Sequence, residues 1–315
     1  MRTLLVIFIL YGTFSLWAQV HSFLGVEFQN DFLDCRGHGT DRYYTAGNFL
    51  TFSRVHSIKK EVLSFSLIQQ AYTPSNLQDT ILSNFDYPYA GLLFLESSYG
   101  WGNMDSSIYI VTTASLGLTG KYSGVAGLQK ALHRIFRDET PKGWSSIVEQ
   151  GALVQTSIDL YKTLLFQRKK RLDFYSQWKW GSIYNNVTLG IYGGIGYVPP
   201  LSIRSLVTPA SPSNRPIDNQ LMDRFTFYVS PSITWVFSNR LLDKSEFLLS
   251  KNLTTNSPAS GLRSQVVSME GGLAYNGLAI SIIYRQNWQS AELYHSKSHH
   301  YGSISIIYNL SYKSK

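Results

Sequence analysis

A short polar run near the amino terminus carries side chains that suit hydrolytic chemistry. Asn30 and Asp31 place an amide and a carboxylate where an alternating segment ends, and Thr45 adds a hydroxyl shortly afterwards. A carboxylate there can orient a base or bind a hard divalent cation through oxygen. An amide can donate a hydrogen bond to a developing oxyanion. A turn is the alternative interpretation, because Asn-Asp pairs commonly end strands.

A second polar pair lies far downstream. Gln129 and His133 are four residues apart, so they share one face of the helix predicted over 123–137. A neutral imidazole there can take a proton from water near physiological pH. Lys130 and Arg134 lie on the same helix and can bind an anionic group. The alternatives are a histidine without a chemical role and a solvated basic face.

The helix over 123–137 interrupts a chain that otherwise alternates with a period of two. Four apolar residues fall on one helical face: Leu128, Leu132, Ile135 and Phe136. Ser123 is a candidate amino-terminal cap. Irregular elements on a rigid scaffold often carry function, which favours a site beside this helix.

The alternation elsewhere predicts a wall of long strands. In 225–237 the odd positions are mainly large and apolar and most even positions are Thr, Tyr or Ser; 187–197, 303–312 and 108–119 repeat the pattern. A strand with one apolar and one small polar face fits a membrane barrel with a polar interior. A soluble β-sandwich also alternates. The length of the strands, near that needed to cross a bilayer, favours the barrel.

The predicted fold class is all-β: an antiparallel transmembrane β-barrel of about twelve strands with a short helix near 123–137. The candidate strands are 22–30, 43–55, 61–71, 88–100, 107–119, 150–164, 171–183, 187–198, 224–238, 264–275, 278–289 and 301–312.

Turn signals predict the connections. Asn185-Asn186 and Asn276-Gly277 are typical of tight turns, and we expect both to face the periplasm. Residues 199–222 are rich in Pro, Ser and Asn and are expected to form a long external loop.

The amino terminus resembles a secretory signal. Arg2 precedes an apolar core at 3–10, and cleavage is expected after Ala18, although an uncleaved anchor is the alternative. We therefore expect 1–18 to be a signal peptide and 19–315 to be one outer-membrane barrel domain.

Composition and net charge limit the class of protein and the kinds of molecule that it can bind. Aromatic residues make up 14% of the chain and charged residues only 15%, which suits a barrel with aromatic girdles. The net charge of +8 favours an anionic partner such as a phosphorylated lipid. Nucleic acid fits the charge equally well, but an export signal argues against it. The single cysteine, Cys35, excludes an intrachain disulfide framework.

Together, several short motifs resemble the lipid A 3′-O-deacylase family of bacterial outer membranes. The resemblance runs from Asn30 to Trp144. The matching segments are Asn30-Asp31, the Asp-Arg-x-Tyr-Thr-x-Gly arrangement in 41–47, Tyr72-Thr73-Pro74, Asp86-Tyr87-Pro88-Tyr89-Ala90-Gly91, Gly117-Leu118-Thr119-Gly120 and Gln129-x-x-x-His133. No single motif is specific, whereas the set is fairly so.

The resemblance implies a twelve-stranded barrel, a site between the wall and a short helix at the level of the outer leaflet, and dependence on Ca²⁺. It implies that His133 is the general base and that Asn30, Asp31, Thr45 and Gln129 are polar groups of the active site. Asp31 is the expected metal-linked carboxylate. The implied substrate is lipid A or lipopolysaccharide, the surroundings are membrane lipid, and a monomer is expected.

Two other functions compete with this interpretation. An outer-membrane phospholipase needs a serine nucleophile against a histidine, and the cluster 295–300 supplies both residue types. A porin-like barrel without catalytic activity explains the wall but gives no role to Gln129 and His133.

Overall fold

The computed structural model describes residues 20–35, 42–56, 61–102, 108–136, 140–147, 151–167, 169–196, 224–243 and 261–312, without the side chains of Leu132 and Phe136. The expected signal peptide, Asp41 and the expected loop at 199–222 lie outside these residues.

Twelve antiparallel strands pair in chain order, and the first also pairs with the last, which closes a barrel. Their bounds are β1 Val20–Asn30, β2 Tyr43–His56, β3 Glu61–Thr73, β4 Ala90–Gly102, β5 Ile108–Thr119, β6 Gly151–Gln167, β7 Lys170–Gly181, β8 Tyr184–Gly196, β9 Phe225–Asn239, β10 Gln265–Asn276, β11 Ile280–Gln289 and β12 His299–Asn309. The predicted barrel and its strand number are confirmed. Helix α1 spans Val125–Phe136 and the short α2 spans Arg240–Asp243.

The two faces of the wall have the predicted chemistry. In β9, Phe227 and Val229 are 54% and 55% exposed, whereas Thr226 and Ser230 are buried. Large apolar side chains therefore point outwards, as a surface in contact with lipid requires. None of the helices in the described ranges is long and apolar enough to span a membrane.

The barrel has two distinct ends. The terminal end carries Val20 and Asn309, where the strand sequence begins and finishes, and the opposite loop end carries Asn30 and α1. Most of the long connections are at the loop end. The turn after Asn276 lies at the terminal end.

The β7–β8 turn does not lie at Asn185-Asn186, and it is at the opposite end of the barrel from the turn after Asn276, so the two turns cannot both face the periplasm as predicted. The β7–β8 turn is Ser182-Ile183, at the loop end, and Asn185 already belongs to β8. The Asn185 side chain supports the turn from outside it, since its Oδ1 accepts the Gly181 N–H at 3.1 Å and its Nδ2 donates to the Gly181 carbonyl at 3.2 Å.

The flanks of the expected loop at 199–222 give a second correction. Gly196 ends β8 and Phe225 begins β9, and both lie at the terminal end. This connection therefore shares an end of the barrel with the turn after Asn276, whereas the turn signals and the loop composition predict opposite sides of the membrane for the two.

Described side chains fill much of the barrel interior at both ends. An apolar cluster near the terminal end includes Phe23, Val55 and Ile307. Above it, Glu27 is buried and forms an ion pair with Arg285 at 2.5 Å, while Ser305 donates to the same carboxylate. A larger apolar cluster packs at the loop end. Between them lies a cavity of about 500 Å³ lined largely by hydroxyl and amide groups.

Candidate active site on the outer wall

Helix α1 lies against the outside of the barrel. Phe94 and Glu96 of β4 line the interior cavity, so Gly91, an odd position in the same strand, faces outwards. A Cβ added to Gly91 would lie 2.3 Å from Ser123 Oγ and 3.1 Å from Val125 Cβ. Glycine at this position therefore lets the start of the helix contact the wall directly.

The local sequence fixes where α1 begins. Residues Gly120–Ser123 form one 3-10 turn, and Gly124 then reverses the chain with a φ of 71°. Ser123 Oγ donates to the Gly120 carbonyl at 2.6 Å and accepts the Val125 N–H at 3.4 Å. Ser123 thus supports the amino-terminal end of the helix, as predicted.

Polar side chains occupy the wall-facing side of α1. Gln129 and His133 are 6% and 8% exposed, and they align with the buried Val125. Leu128 and Ile135, predicted to share an apolar face, are 40% and 70% exposed instead. The apolar face therefore points away from the protein, which is favourable where the neighbour is lipid rather than water.

Gln129 is held by a tryptophan that the sequence analysis did not assign to the site. Trp144 Nε1 donates to Gln129 Oε1 at 2.7 Å, and both groups are buried. The indole packs on the Tyr89 ring with centroids 4.9 Å apart. This contact orients the amide and fixes α1 to the loop at 143–146.

The basic residues of α1 lie outside this buried face. Lys130 is partly exposed and Arg134 is exposed. Their ammonium and guanidinium groups flank the helix at the loop end, where an anionic group at the membrane surface can reach them.

At the end of β1, the structure is compatible with Asn30-Asp31 both as a turn and as a pair of polar groups in the active site. Asn30 Oδ1 accepts the Phe32 N–H at 2.7 Å and caps the 3-10 helix Asp31–Leu33. Capping uses the amide oxygen, and the Asn30 NH₂ can still act as a donor. Asp31 is 3% exposed, and its Oδ2 accepts the Arg42 backbone N–H at 3.2 Å.

Thr45 reaches the outer face through a β-bulge. The pairing of β2 with β3 shifts between Tyr44 and Ala46, so Thr45 is the extra residue. Its hydroxyl lies 2.6 Å from Thr73 Oγ1, and Thr45 is 1% exposed. The nearby Gly47 makes room for the Tyr44 hydroxyl inside the barrel rather than for a ligand.

Strand pairing connects the two polar groups across the wall. Asn30 pairs with Ala46, Ala46 with Ala71 and Ala71 with Gly91, over which α1 begins. Three strand spacings separate Asn30 from Gly91, about 14 Å. Small outward-facing side chains occupy the positions between them. Asn30 and helix α1 therefore lie at opposite sides of a strip of outer wall that carries Ala46 and Ala71 and has Thr45 at its rim; we call this strip the groove.

Comparisons with known proteins show the family of this chain. The family model described as outer membrane protein LpxR matches residues 4–310. The chain belongs to the LpxR family. The family and the barrel together place it in the outer membrane. No curated protein matches the sequence.

Solved structures share the fold of this LpxR-family chain. LpxR from Salmonella typhimurium superposes with a TM-score of 0.71 at 18% identity, over 91% of this chain and 99% of that one. An outer membrane channel from Pseudomonas putida F1 superposes with a TM-score of 0.50 at 10% identity, over 92% of this chain and 95% of that one. At these identities the likeness establishes the architecture alone.

Ser296, in the 295–300 cluster that suggests a rival site, has a structural role in this LpxR-family chain. Ser296 Oγ accepts the Leu293 N–H and donates to the Leu293 carbonyl, both at 3.1 Å, so its hydroxyl closes a turn. The His299 ring is buried between Tyr43 and Tyr301. No described contact joins Ser296 to a histidine.

The oxygen donors near β1 suit a hard cation. Asp31 offers a buried carboxylate and Thr45 a buried hydroxyl, and Ca²⁺ prefers such oxygen ligands. Within the described ranges, no three side chains of His, Cys, Asp or Glu come together. A calcium ion held here would therefore take most of its ligands from hydroxyl, amide, carbonyl or water oxygens.

Proposed function

We propose that this chain is an outer-membrane lipid A deacylase that hydrolyses the ester-linked 3′ acyl group. The position of the polar groups carries the proposal. A porin would place its working groups in the lumen. Here Asn30 and Thr45 lie on the outer, lipid side of the wall, and Gln129 and His133 face the wall from α1, whose exposed face is apolar. A lipid can reach that groove from the bilayer.

In this proposal His133 is the general base. Its imidazole takes a proton from a water molecule, whose oxygen attacks the ester carbonyl carbon. The tetrahedral intermediate collapses, the carbonyl is restored, and the bond to the sugar oxygen breaks. That oxygen takes the proton from the imidazolium and leaves as an alcohol, while the acyl group leaves as a carboxylic acid that then loses its proton to water.

Asn30 and Gln129 support these steps. The Asn30 NH₂ donates a hydrogen bond to the developing oxyanion, because its oxygen is already used as the cap of the 3-10 helix. Gln129, fixed by Trp144, keeps the polar face of α1 oriented towards the wall beside His133. Thr45 and its partner Thr73 complete the polar rim.

Asp31 and Thr45 are the proposed ligands of Ca²⁺. A bound calcium ion supplies Lewis-acid polarisation of the ester carbonyl. Lys130 and Arg134 are proposed to bind the phosphate of the head group, since cationic side chains at the membrane surface attract anionic lipid.

Mass spectrometry of lipid A tests the proposal. Lipid A is extracted from cells with and without the expressed chain, and the same chain is incubated in detergent with purified lipid A. The proposal expects loss of the mass of the 3′ acyl group with release of the corresponding fatty acid. An unchanged lipid A, from a barrel that shifts on a gel after boiling and is therefore folded, would reject the proposed activity.

A further inference from the structure

Two side-chain amides face the lipid in a part of the wall that is otherwise apolar. Phe49 of β2 and Gln70 of β3 line the interior cavity, so their neighbours Asn48 and Gln69 point outwards. Leu50, the next outward position after Asn48, is 47% exposed. An amide facing hydrocarbon costs free energy unless it is hydrogen-bonded.

The two amides are bonded to each other and to the start of α1. Asn48 Nδ2 donates to Gln69 Oε1 at 3.4 Å, and Gln69 Nε2 donates to the Ser123 carbonyl at 3.0 Å. Each side-chain amide has two N–H donors. The bond to Gln69 uses one N–H donor of Asn48, and its second N–H can reach a ligand in the groove.

Asn48 lies deeper in the membrane than the proposed reaction centre. It is two residues beyond Ala46, which pairs with Asn30, and this offset is about 7 Å along the strand. It pairs with Phe28 on one side and with Gln69 on the other. The position therefore meets an acyl chain a short way below the ester that is cleaved.

A branched acyl chain has a polar atom at this depth. In a 3-acyloxyacyl group the second ester carbonyl is four covalent bonds from the first, about 5 Å when extended. The chain runs from the head group towards the bilayer centre, so the second carbonyl lies below the first. An N–H···O bond adds about 3 Å, which brings Asn48 within reach.

We propose that Asn48, positioned by Gln69, donates a hydrogen bond to the second ester carbonyl and so selects branched 3′ acyl groups. The inference rests on the proposed function and names a specificity determinant of the same groove. Asn48 takes no part in bond cleavage. Its effect is confined to substrates that carry the branch.

The test compares two substrates and three proteins. One lipid A carries a 3-acyloxyacyl group at the 3′ position and the other carries the unbranched 3-hydroxyacyl group. The kcat/KM values for both are measured with the unaltered chain, with Asn48→Leu and with the control Thr112→Val. Thr112 also faces outwards with a polar side chain, which donates to the Tyr99 carbonyl away from the groove.

Asn48→Leu should lower the branched-to-unbranched ratio of kcat/KM about 2- to 10-fold, as expected for one uncharged hydrogen bond. Thr112→Val should leave the ratio unchanged. An equal loss of kcat/KM on both substrates in Asn48→Leu would show a structural role and overturn the inference. Unchanged kcat/KM values on both substrates would overturn it as well. Failure of the unaltered chain to cleave either lipid would instead reject the proposed function, and this inference with it.

Discussion

Trp144 Nε1 donates a buried 2.7 Å hydrogen bond to Gln129 Oε1 and thereby fixes the polar face of α1. Trp144→Phe should keep most of the packing on Tyr89 but remove this bond. We expect kcat to fall about 10- to 100-fold, since small misplacements of catalytic groups cost this much. Trp101→Phe, which alters a tryptophan on the wall near the terminal end, is the control and should be neutral. Equal kcat values for the two variants would show that the bond between Trp144 and Gln129 is not needed for activity.

Asn30 has two separable roles, as a cap through its oxygen and as a donor through its NH₂. Asn30→Asp keeps a capping oxygen and loses the donor, whereas Asn30→Ala loses both. Both variants should lose about 10²-fold in rate. Only Asn30→Ala should also lose about 1 kcal/mol of stability. Steady-state rates and denaturant titrations measure these effects. Full activity in Asn30→Asp would show that capping is the only role of Asn30.

Gly91 sets the contact between α1 and the wall. Gly91→Ala places a methyl group 2.3 Å from Ser123 Oγ, so the helix must shift. We expect a clear loss of activity without unfolding of the barrel, because the strands pair independently of α1. Gly127→Ala is the matched control, since a Cβ there meets nothing within 4 Å. The two variants are compared by activity and by gel mobility before and after boiling. A fully active Gly91→Ala would show that the contact of the helix with the wall is not needed.

Calcium dependence is expected if Asp31 and Thr45 are the proposed Ca²⁺ ligands. Excess chelator should abolish hydrolysis, and added Ca²⁺ should restore it. Asp31→Asn keeps the shape of the side chain but removes its charge, so it should raise the Ca²⁺ concentration needed for half-maximal activity. Rate measurements against free Ca²⁺ give this quantity. Activity that persists in excess chelator would reject the proposed role of Ca²⁺. The fold and the proposed role of His133 as general base would be unaffected by that result.

The sequence predicted the wall well because the membrane imposes a simple rule on it. Most outward positions of β9 carry large apolar side chains and most inward positions carry polar ones, so alternation marks both the strand and its face. Turns were less predictable. Asn185 is bonded to the β7–β8 turn but lies inside β8, and short-range composition does not distinguish these two positions.

The candidate site was only partly predictable. The helical spacing placed Gln129 and His133 on one face correctly, whereas their catalytic roles stay predictions. The bulge that turns Thr45 outwards depends on pairing with β3 and has no local signal. Asn48 and Gln69, by contrast, have a local signal in the sequence. Each is an amide where the alternation calls for an apolar residue, and such a break marks a polar contact on the lipid face.

The most direct test of the account is the mass of lipid A after incubation with His133→Ala and, separately, with Ser296→Ala. If His133 is the general base, His133→Ala should lower the rate of 3′ deacylation about 10²–10⁴-fold while the barrel still folds. Ser296→Ala should remain near the unaltered rate, because that hydroxyl closes a turn. Full activity in His133→Ala together with loss in Ser296→Ala would contradict attack by activated water and assign the chemistry to a serine nucleophile.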